Sequence, residues 1–268
     1  MQSCLSNINQ YNEYTDILTE YTEELRERAG DKNLDTFCEM RGFPIETVKK
    51  QKIFYIGEAT EMLLPDYIDD IMQLGMISNT NNKPIFHNRY VMPIMNTKGK
   101  VLNLVGYSKE ANERYVYGTS KYYRRKDTLY GLENLEMAYD LGYAFLTEGI
   151  TDTIRLRSLG YLNSFANCGT HHSNFTIKLL NRCRYGIIKI PDRDAAGLKA
   201  SKGWQFYRSA TLNTYIKYKD IDSMCFNEAE NETSMSIIKM YIDACVQWIT
   251  SQEHHNMNCA DGEVTIYL

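Results

Sequence analysis

Two acidic motifs, each placed directly after a short apolar segment, constrain the fold of this chain more than any other feature. The first is LTEGITD at residues 146–152, and the second is IKIPDRDAAG at residues 188–197. Each apolar segment has the length of a buried strand, and the residues after each motif have a helical pattern. A strand that ends in carboxylates and leads into a helix is typical of an α/β protein.

Strand and helix patterns alternate around these motifs. Predicted strands at residues 143–146, 162–166, 186–190 and 211–217 alternate with predicted helices at 150–159, 174–183 and 195–208. Such alternation predicts a mostly parallel sheet flanked by helices, with right-handed crossovers. A last helix is predicted over residues 233–248, before a polar tail and a final apolar segment at 264–268.

Three pairs of acids accompany three of these strands. They are Glu148 and Asp152, Asp192 and Asp194, and Asp220 and Asp222. Because the carboxyl ends of parallel strands meet at one edge of a sheet, we expect an acidic mouth there. Crowded carboxylates repel each other unless a cation neutralises them, and oxygen ligands suit hard divalent cations. The pattern therefore predicts a metal site at Glu148, Asp192 and Asp194, with the other three acids beside it.

A simpler role is open for Asp152 and Asp194. An acid just before or within the first turn of a helix often caps the helix or interacts with its dipole. Glu148 and Asp152 are four residues apart, which predicts that both face the same side of a helix beginning at Ile150. His171 and His172 are expected in a loop beside the mouth and not as metal ligands.

The chain before residue 141 is organised differently. Helices predicted at 9–28, 33–41, 45–51 and 66–74 form a lead-in over residues 1–84. Antiparallel strands predicted at 89–95, 100–107 and 114–117 form a small α+β subdomain over residues 85–140. Two further segments are expected, a sheet domain at 141–225 and a C-terminal helix and tail at 226–268.

The small subdomain carries a concentration of positive charge. Residues 98–126 contain eight Lys or Arg and two Glu, with several Tyr between them. Basic and aromatic side chains together favour a polyanion-binding surface. A solvated surface explains the same residues equally well.

Composition and charge argue against several classes of protein. A net charge of -4 argues against a chain coated all over with nucleic acid, although it allows a local basic face. Seven cysteines without a CxxC motif argue against a zinc ribbon and a disulfide framework, and fit a reduced cytosol. Because no N-terminal apolar segment reaches signal-peptide or membrane length, we expect a cytoplasmic protein without a membrane partner.

The EGITD and DRDAAG motifs resemble those of the Toprim domain, which DnaG-like primases, topoisomerases and some nucleases share. Residues 86–108 and 114–135 resemble the N-terminal subdomain of the DnaG-like primase catalytic core, and residues 40–57 resemble its helical lead-in. The likeness covers residues 35–225 in collinear order. The chain is thus similar to the catalytic core of bacterial or phage-type DNA primases.

The resemblance implies roles for particular residues. Glu148, Asp192 and Asp194 would be catalytic and would bind Mg²⁺ or Mn²⁺ together with Asp152, Asp220 and Asp222. The residues that would hold the template and the nucleotide are Arg89, Arg114, Lys121, Arg124, Arg125 and Lys126. His87, Tyr107 and Tyr117 depart from the family, which has Arg, Arg and Asn there; these departures bear on nucleotide binding.

The resemblance also implies partners and a reaction. The sequence contains neither the cysteine set of the family's zinc-binding domain nor the P-loop of a fused helicase. We expect a phage or plasmid protein that works with a separate replicative helicase and a zinc-binding protein in trans. The expected reaction is the synthesis of short RNA primers from NTPs on single-stranded DNA by two-metal nucleotidyl transfer. A Toprim-type metal-dependent nuclease and a non-catalytic adaptor that binds DNA or helicase stay open as alternatives.

Overall fold

A computed structural model describes residues 2–78, 80–168, 173–194, 197, 203–204, 206–214, 217–229, 231–251 and 263–267, with side chains described between residues 10 and 251. The chain divides into two compact units, Met1–Arg124 and Arg125–Leu268, and each unit is built on one sheet. The predicted lead-in and the first basic strands therefore share one unit. The four-segment division of the sequence stays a prediction.

The first unit combines three helices with an antiparallel sheet. Its helices are α1 (Gln2–Ala29), α2 (Leu34–Arg41) and α3 (Ile45–Lys50). Its strands are β1 (Phe54–Ile56), β2 (Arg89–Met95), β3 (Val101–Tyr107) and β4 (Tyr115–Tyr117), in the order β1-β2-β3-β4.

Helix α1 packs on β3 and closes the core of this unit. Leu18 and Tyr21 of α1 are fully buried, although the helix is rich in acids. The hydroxyl of Tyr14 donates a hydrogen bond to the Leu102 carbonyl at 3.0 Å, and the amide of Val101 donates to the Thr19 hydroxyl at 2.9 Å. Burial of an apolar stripe, together with these bonds to the strand, fixes the helix on the sheet.

Four tyrosines form a row across this sheet. Tyr55, Tyr90, Tyr107 and Tyr115 are successive register partners from β1 to β4. The ring of Phe37 in α2 packs on Tyr90, with centroids 4.6 Å apart, and on Tyr107 at 6.2 Å. The two central tyrosines are 8% and 3% exposed, so they serve as core residues in this unit. Cross-strand aromatic pairs of this kind stabilise a sheet.

The second unit contains the predicted mostly parallel sheet, which the structure confirms. Its strands are β5 (Leu129–Tyr130), β6 (Tyr143–Thr147), β7 (Ser164–Asn167), β8 (Gly186–Ile190), β9 (Ser209–Asn213) and β10 (Glu263–Tyr267). The order is β10-β9-β8-β6-β7-β5, and the edge strand β5 runs antiparallel to its neighbour. Its helices are α4 (Leu135–Leu141), α5 (Ile150–Ser158), α6 (Asn174–Leu180), α7 (Ile221–Glu228) and α8 (Glu232–Ser251).

Helices cover both faces of this sheet. Phe145 and Ile188 point to a cluster built with α5, α7 and α8. Leu146 and Ile187, their neighbours along the strands, point to a cluster built with α4 and α6. Because successive strand residues face opposite sides, the strands need apolar residues at almost every position. That need explains the continuous apolar runs in the sequence.

Several predicted elements differ in the structure. The helix predicted at 66–74 is wrong: a 3-10 turn at Pro65–Tyr67 is followed by separate turns closed by the bonds Ile71 to Tyr67 and Leu74 to Asp70. Residues 206–208 are not helical, and the next strand begins at Ser209 and not at residue 211. The start of the helix predicted at 195–208, as well as His171 and His172, lies outside the described residues. Among the helices described, none has the length and apolar character to cross a membrane.

Candidate active site

The carboxyl ends of three adjacent strands, β6, β8 and β9, carry the predicted acids. Thr147, the last residue of β6, pairs with Ile190, the last residue of β8. Glu148 therefore leaves the sheet beside the loop that follows β8. The backbone amide of Asp192 donates to Glu148 Oε1 at 3.3 Å. The structure thus brings the first two predicted ligands together.

A buried hydroxyl fixes the turn that presents Glu148. The Thr147 hydroxyl lies 3.0 Å from the Gly149 carbonyl and 2.9 Å from the Thr153 hydroxyl, across the start of α5. Gly149 precedes the helix in an extended conformation. The chain therefore leaves the strand and enters the helix in one tight, bonded turn, which restricts where the Glu148 side chain can go.

Lys219 joins the acids after β8. Its Nζ lies 2.9 Å from Asp192 Oδ2 and 3.2 Å from Asp194 Oδ2, which raises the pKa of the lysine. The amide of Arg193 also donates to the Lys219 carbonyl at 2.6 Å, so the loops after β8 and β9 are bonded through their backbones. Lys219 was not singled out from the sequence. Its position immediately before Asp220, among acids, was the available signal.

Burial and mutual repulsion disturb the ionisation of these carboxylates. Burial raises the pKa of Glu148 to about 7, and the charges of Asp192 and Asp194 add to the effect. Burial also raises the pKa of Asp192, more than the nearby Lys219 lowers it. A group whose pKa is displaced toward neutral by burial and by like charges is typical of a functional site.

Gly197 makes room for the acids to converge. A Cβ at this position would lie 2.7 Å from Glu148 Oε1 and 2.4 Å from the carbonyl oxygen of Asp192. The Gly197 amide donates to Asp194 Oδ1 at 2.8 Å. Any side chain here would push the loop away from Glu148, so the glycine is needed for the site itself.

The donor set fits a hard divalent cation. Glu148, Asp192 and Asp194 offer only oxygen, which Mg²⁺ and Mn²⁺ prefer. Within the described ranges, no three acidic, His or Cys side chains already stand in a metal-binding arrangement. The ammonium group of Lys219 instead stands as the cation between two carboxylates. Its side chain is 56% exposed and can turn away when a metal ion binds.

Asp152 and Asp222 are both buried, and Asp222 forms an ion pair with Arg155. Arg155 of α5 donates to Asp222 Oδ1 of α7 through Nε at 3.0 Å. The amide of Asp222 donates to Asp152 Oδ1 at 3.1 Å. Glu148 lies before α5, which begins at Ile150, whereas Asp152 lies in its first turn and contacts α7. That both carboxylates face one side stays a prediction. Arg155, three residues after Asp152, was not singled out from the sequence.

Asp220 caps helix α7, a role that the sequence suggested for Asp152 and Asp194. Its carboxylate accepts from the Ser223 amide at 2.7 Å, and the Ser223 hydroxyl and the Asp220 amide complete a capping box at the start of α7. Its charge still raises the pKa of Asp192. Asp220 therefore lies near the cluster while its side chain is engaged by the helix.

The predicted nucleic-acid residues lie on exposed parts of both units. Arg89 begins β2 and donates to the Arg114 carbonyl at 3.2 Å. Lys121 lies over the Tyr122 ring, 5.0 Å from its centroid. The predicted basic residues that are exposed to solvent are Arg114, Lys121, Arg124, Arg125 and Lys126. Their role in binding stays a prediction.

Solved structures define the class to which this fold belongs. The fold matches a DnaG primase catalytic domain bound to single-stranded DNA with a TM-score of 0.69 and 18% identity, over 94% of this chain and 87% of that chain. It matches the E. coli primase catalytic core with a TM-score of 0.68 and 17% identity, over the same shares. The chain has the fold of a DnaG-type primase catalytic core.

Sequence relatives agree with the fold. DNA primase of Rickettsia felis is 30% identical over 172 residues, which are 60% of this chain and 29% of the relative. DNA primase of Thermotoga maritima is 24% identical over 234 residues, 81% of this chain and 41% of the relative. No family model matches the chain. The chain is DnaG-like in sequence and in fold, and it spans less than half the length of these curated relatives.

Proposed function

We propose that this chain is the catalytic core of a DNA primase, which synthesises short RNA primers from NTPs on single-stranded DNA. The observation that carries the proposal is the convergence of Glu148, Asp192 and Asp194 at the strand ends of a DnaG-type fold. Crowded carboxylates can bind cations in an enzyme, whereas in an adaptor their mutual repulsion would only lower the stability of the fold. In this proposal residues 141–225 form the Toprim domain.

The three acids bind Mg²⁺ or Mn²⁺ in this proposal. When bound, such ions lower the pKa of the attacking 3′-hydroxyl and offset the charge of the leaving pyrophosphate. Glu148 gives up its proton when a cation binds, because its pKa is about 7 without one. Lys219 releases Asp192 and Asp194 and is then free to face the phosphates of the incoming nucleotide.

The exposed basic residues hold the template. Arg89, Arg114 and Arg125 contact DNA phosphates, with Lys121, Arg124 and Lys126 beside them, and such contacts weaken as salt concentration rises. A separate replicative helicase and a zinc-binding protein act with the chain in the cytoplasm of the host cell of a phage or plasmid.

The proposal is tested by incubating the purified chain with single-stranded DNA, labelled NTPs and Mn²⁺ or Mg²⁺. We expect labelled RNA from the wild type and a loss on the order of 100-fold or more in Glu148→Gln and in Asp192→Asn, since each variant removes an ionised ligand. Glu136→Gln is the matched control, because Glu136 is an exposed acid of α4 in the same unit.

Two other outcomes would overturn the proposal. Shortening of the DNA in place of RNA synthesis would assign a nuclease. Full primer synthesis by the Glu148→Gln and Asp192→Asn variants would show that these acids are not catalytic.

A further inference from the structure

Two cationic side chains pair with predicted metal ligands, Arg155 with Asp222 and Lys219 with Asp192 and Asp194, and they differ in solvent exposure. Arg155 and Asp222 form a pair in which each side chain is 5% exposed. Lys219, in contact with Asp192 and Asp194, has a side chain that is 56% exposed. A solvated ammonium group can leave its partners for water, while a buried guanidinium that leaves its carboxylate loses compensation for its desolvation.

Both nitrogens that Arg155 directs at Asp222 meet the same oxygen. Nε and Nη2 each lie 3.0 Å from Asp222 Oδ1. This forked contact joins α5 to α7 in the cluster that contains Leu156 and Met224. Arg155 therefore supplies a full positive charge at the carboxylate where the sequence predicted a metal ligand.

The carboxylate of Asp152 is also enclosed by protein atoms. Oδ1 accepts from the Asp222 amide at 3.1 Å. Oδ2 lies against Gly149, where a Cβ would be only 2.4 Å away. Asp152 is 5% exposed and stands in the first turn of α5, where the helix dipole favours a negative charge. Its carboxylate lies at the starts of α5 and α7 and is turned away from solvent.

One guanidinium and two helix N-termini partly offset the two carboxylates of this network without a metal ion. Asp222 stands in the first turn of α7, so the dipole of that helix supports its carboxylate in addition to Arg155. The neighbouring thiol of Cys225 adds no charge, because burial raises its pKa to about 12. A divalent cation at Asp222 would have to displace a buried guanidinium that has no solvent to move into.

We propose that Arg155 permanently replaces a second cation at Asp152 and Asp222, so that of the six predicted ligands only Glu148, Asp192 and Asp194 bind a divalent cation, and they bind one. The inference rests on the proposed metal-dependent function. A second ion in the reaction then enters bound to the triphosphate of the incoming NTP and is not held by the free protein. Arg155 is a positioning residue, which holds Asp152 and Asp222 in place at the starts of α5 and α7.

The experiment is a titration of the nucleotide-free full chain with Mn²⁺, followed by calorimetry and by the electron paramagnetic resonance of free Mn²⁺. We expect one site in the wild type and one site in Arg155→Lys, which keeps the charge. In Arg155→Met, Asp152 and Asp222 lose their counter-ion. We expect that variant to melt at a lower temperature in EDTA, to gain a second Mn²⁺ site, and to recover part of its melting temperature when Mn²⁺ is added.

A double variant keeps the test independent of folding. Arg155→Met with Asp222→Asn removes both charges of the buried pair, a change that proteins often tolerate. We expect it to bind one Mn²⁺ with an affinity within about threefold of the wild type. Asp192→Asn should lose Mn²⁺ affinity by on the order of 100-fold.

The results that would overturn the inference separate it from the proposed function. Two Mn²⁺ ions in the wild type, with one lost in the double variant, would show that Asp222 is a ligand, while the site at Asp192 stands. Unchanged Mn²⁺ affinity in Asp192→Asn would remove the metal site of the proposed function, and this inference with it.

Discussion

The carboxyl group of Glu148 has a pKa well above that of an ordinary surface acid. Burial and the charges of Asp192 and Asp194 raise its pKa to about 7. Because this pKa is higher in the folded than in the unfolded chain, the folded state binds the proton more tightly. The resulting stabilisation is complete below the unfolded pKa of about 4.5 and is lost as pH rises through about 7.

A pH series of urea unfolding tests this ionisation. In EDTA, the free energy of unfolding of the wild type should fall between pH 5 and pH 8 relative to that of Glu148→Gln, which cannot ionise. Comparison with this variant cancels the contributions of groups that do not interact with Glu148. A difference between the two proteins that stays constant or grows with pH would contradict the raised pKa.

The acids of the site could be predicted from the sequence, but their partners could not. Glu148 and Asp192 follow apolar strands, and a parallel sheet places such residues at one edge. Lys219 and Arg155 neutralise different acids because one lies on a loop and the other on a buried helix face. That distinction depends on which helix packs against which, and no spacing in the sequence contains it.

Asp220 stabilises helix α7 as its N-terminal cap. Asp220 caps it through the Ser223 amide at 2.7 Å, and the reciprocal bond from the Asp220 amide to the Ser223 hydroxyl completes the box. We expect Asp220→Ala to lower the free energy of unfolding by about 1 kcal/mol in EDTA, because the helix loses its N-terminal cap.

The matched variant is Asp220→Ser, since serine also caps helices well. Chemical denaturation should show that the serine variant keeps most of the stability that the alanine variant loses. Equal destabilisation by serine and alanine would show that the charge of Asp220, and not its capping bond, stabilises α7.

Elements were predictable where burial imposes a pattern over several residues. Strands β6 and β8 are apolar on both faces and were found close to their true bounds. Strands β1 and β5 have three and two residues, which are too few for any periodicity to show. The segment at 66–74 has apolar residues at helical spacing, yet Pro65 and Gly75 bound it closely and it folds as separate turns.

At the scale of the whole molecule, the fold and the relatives agree on a DnaG-type core. The structural likeness covers 94% of this chain at 18% identity, so the two chains share an architecture although few of their residues are identical. The first unit contributes an aromatic sheet, the second contributes the acidic mouth, and exposed basic residues lie on both. The sequence indicates the change from antiparallel to parallel strands, but it places the boundary near residue 141, whereas the two compact units divide after Arg124.

The most direct test of the account is whether the purified chain makes RNA on single-stranded DNA. With labelled NTPs and Mn²⁺ or Mg²⁺, we predict short labelled products that are sensitive to alkali, that disappear in EDTA, and that are absent with Asp192→Asn. A wild-type chain that is folded, binds single-stranded DNA and binds Mn²⁺, yet incorporates no nucleotide under these conditions, would contradict the account.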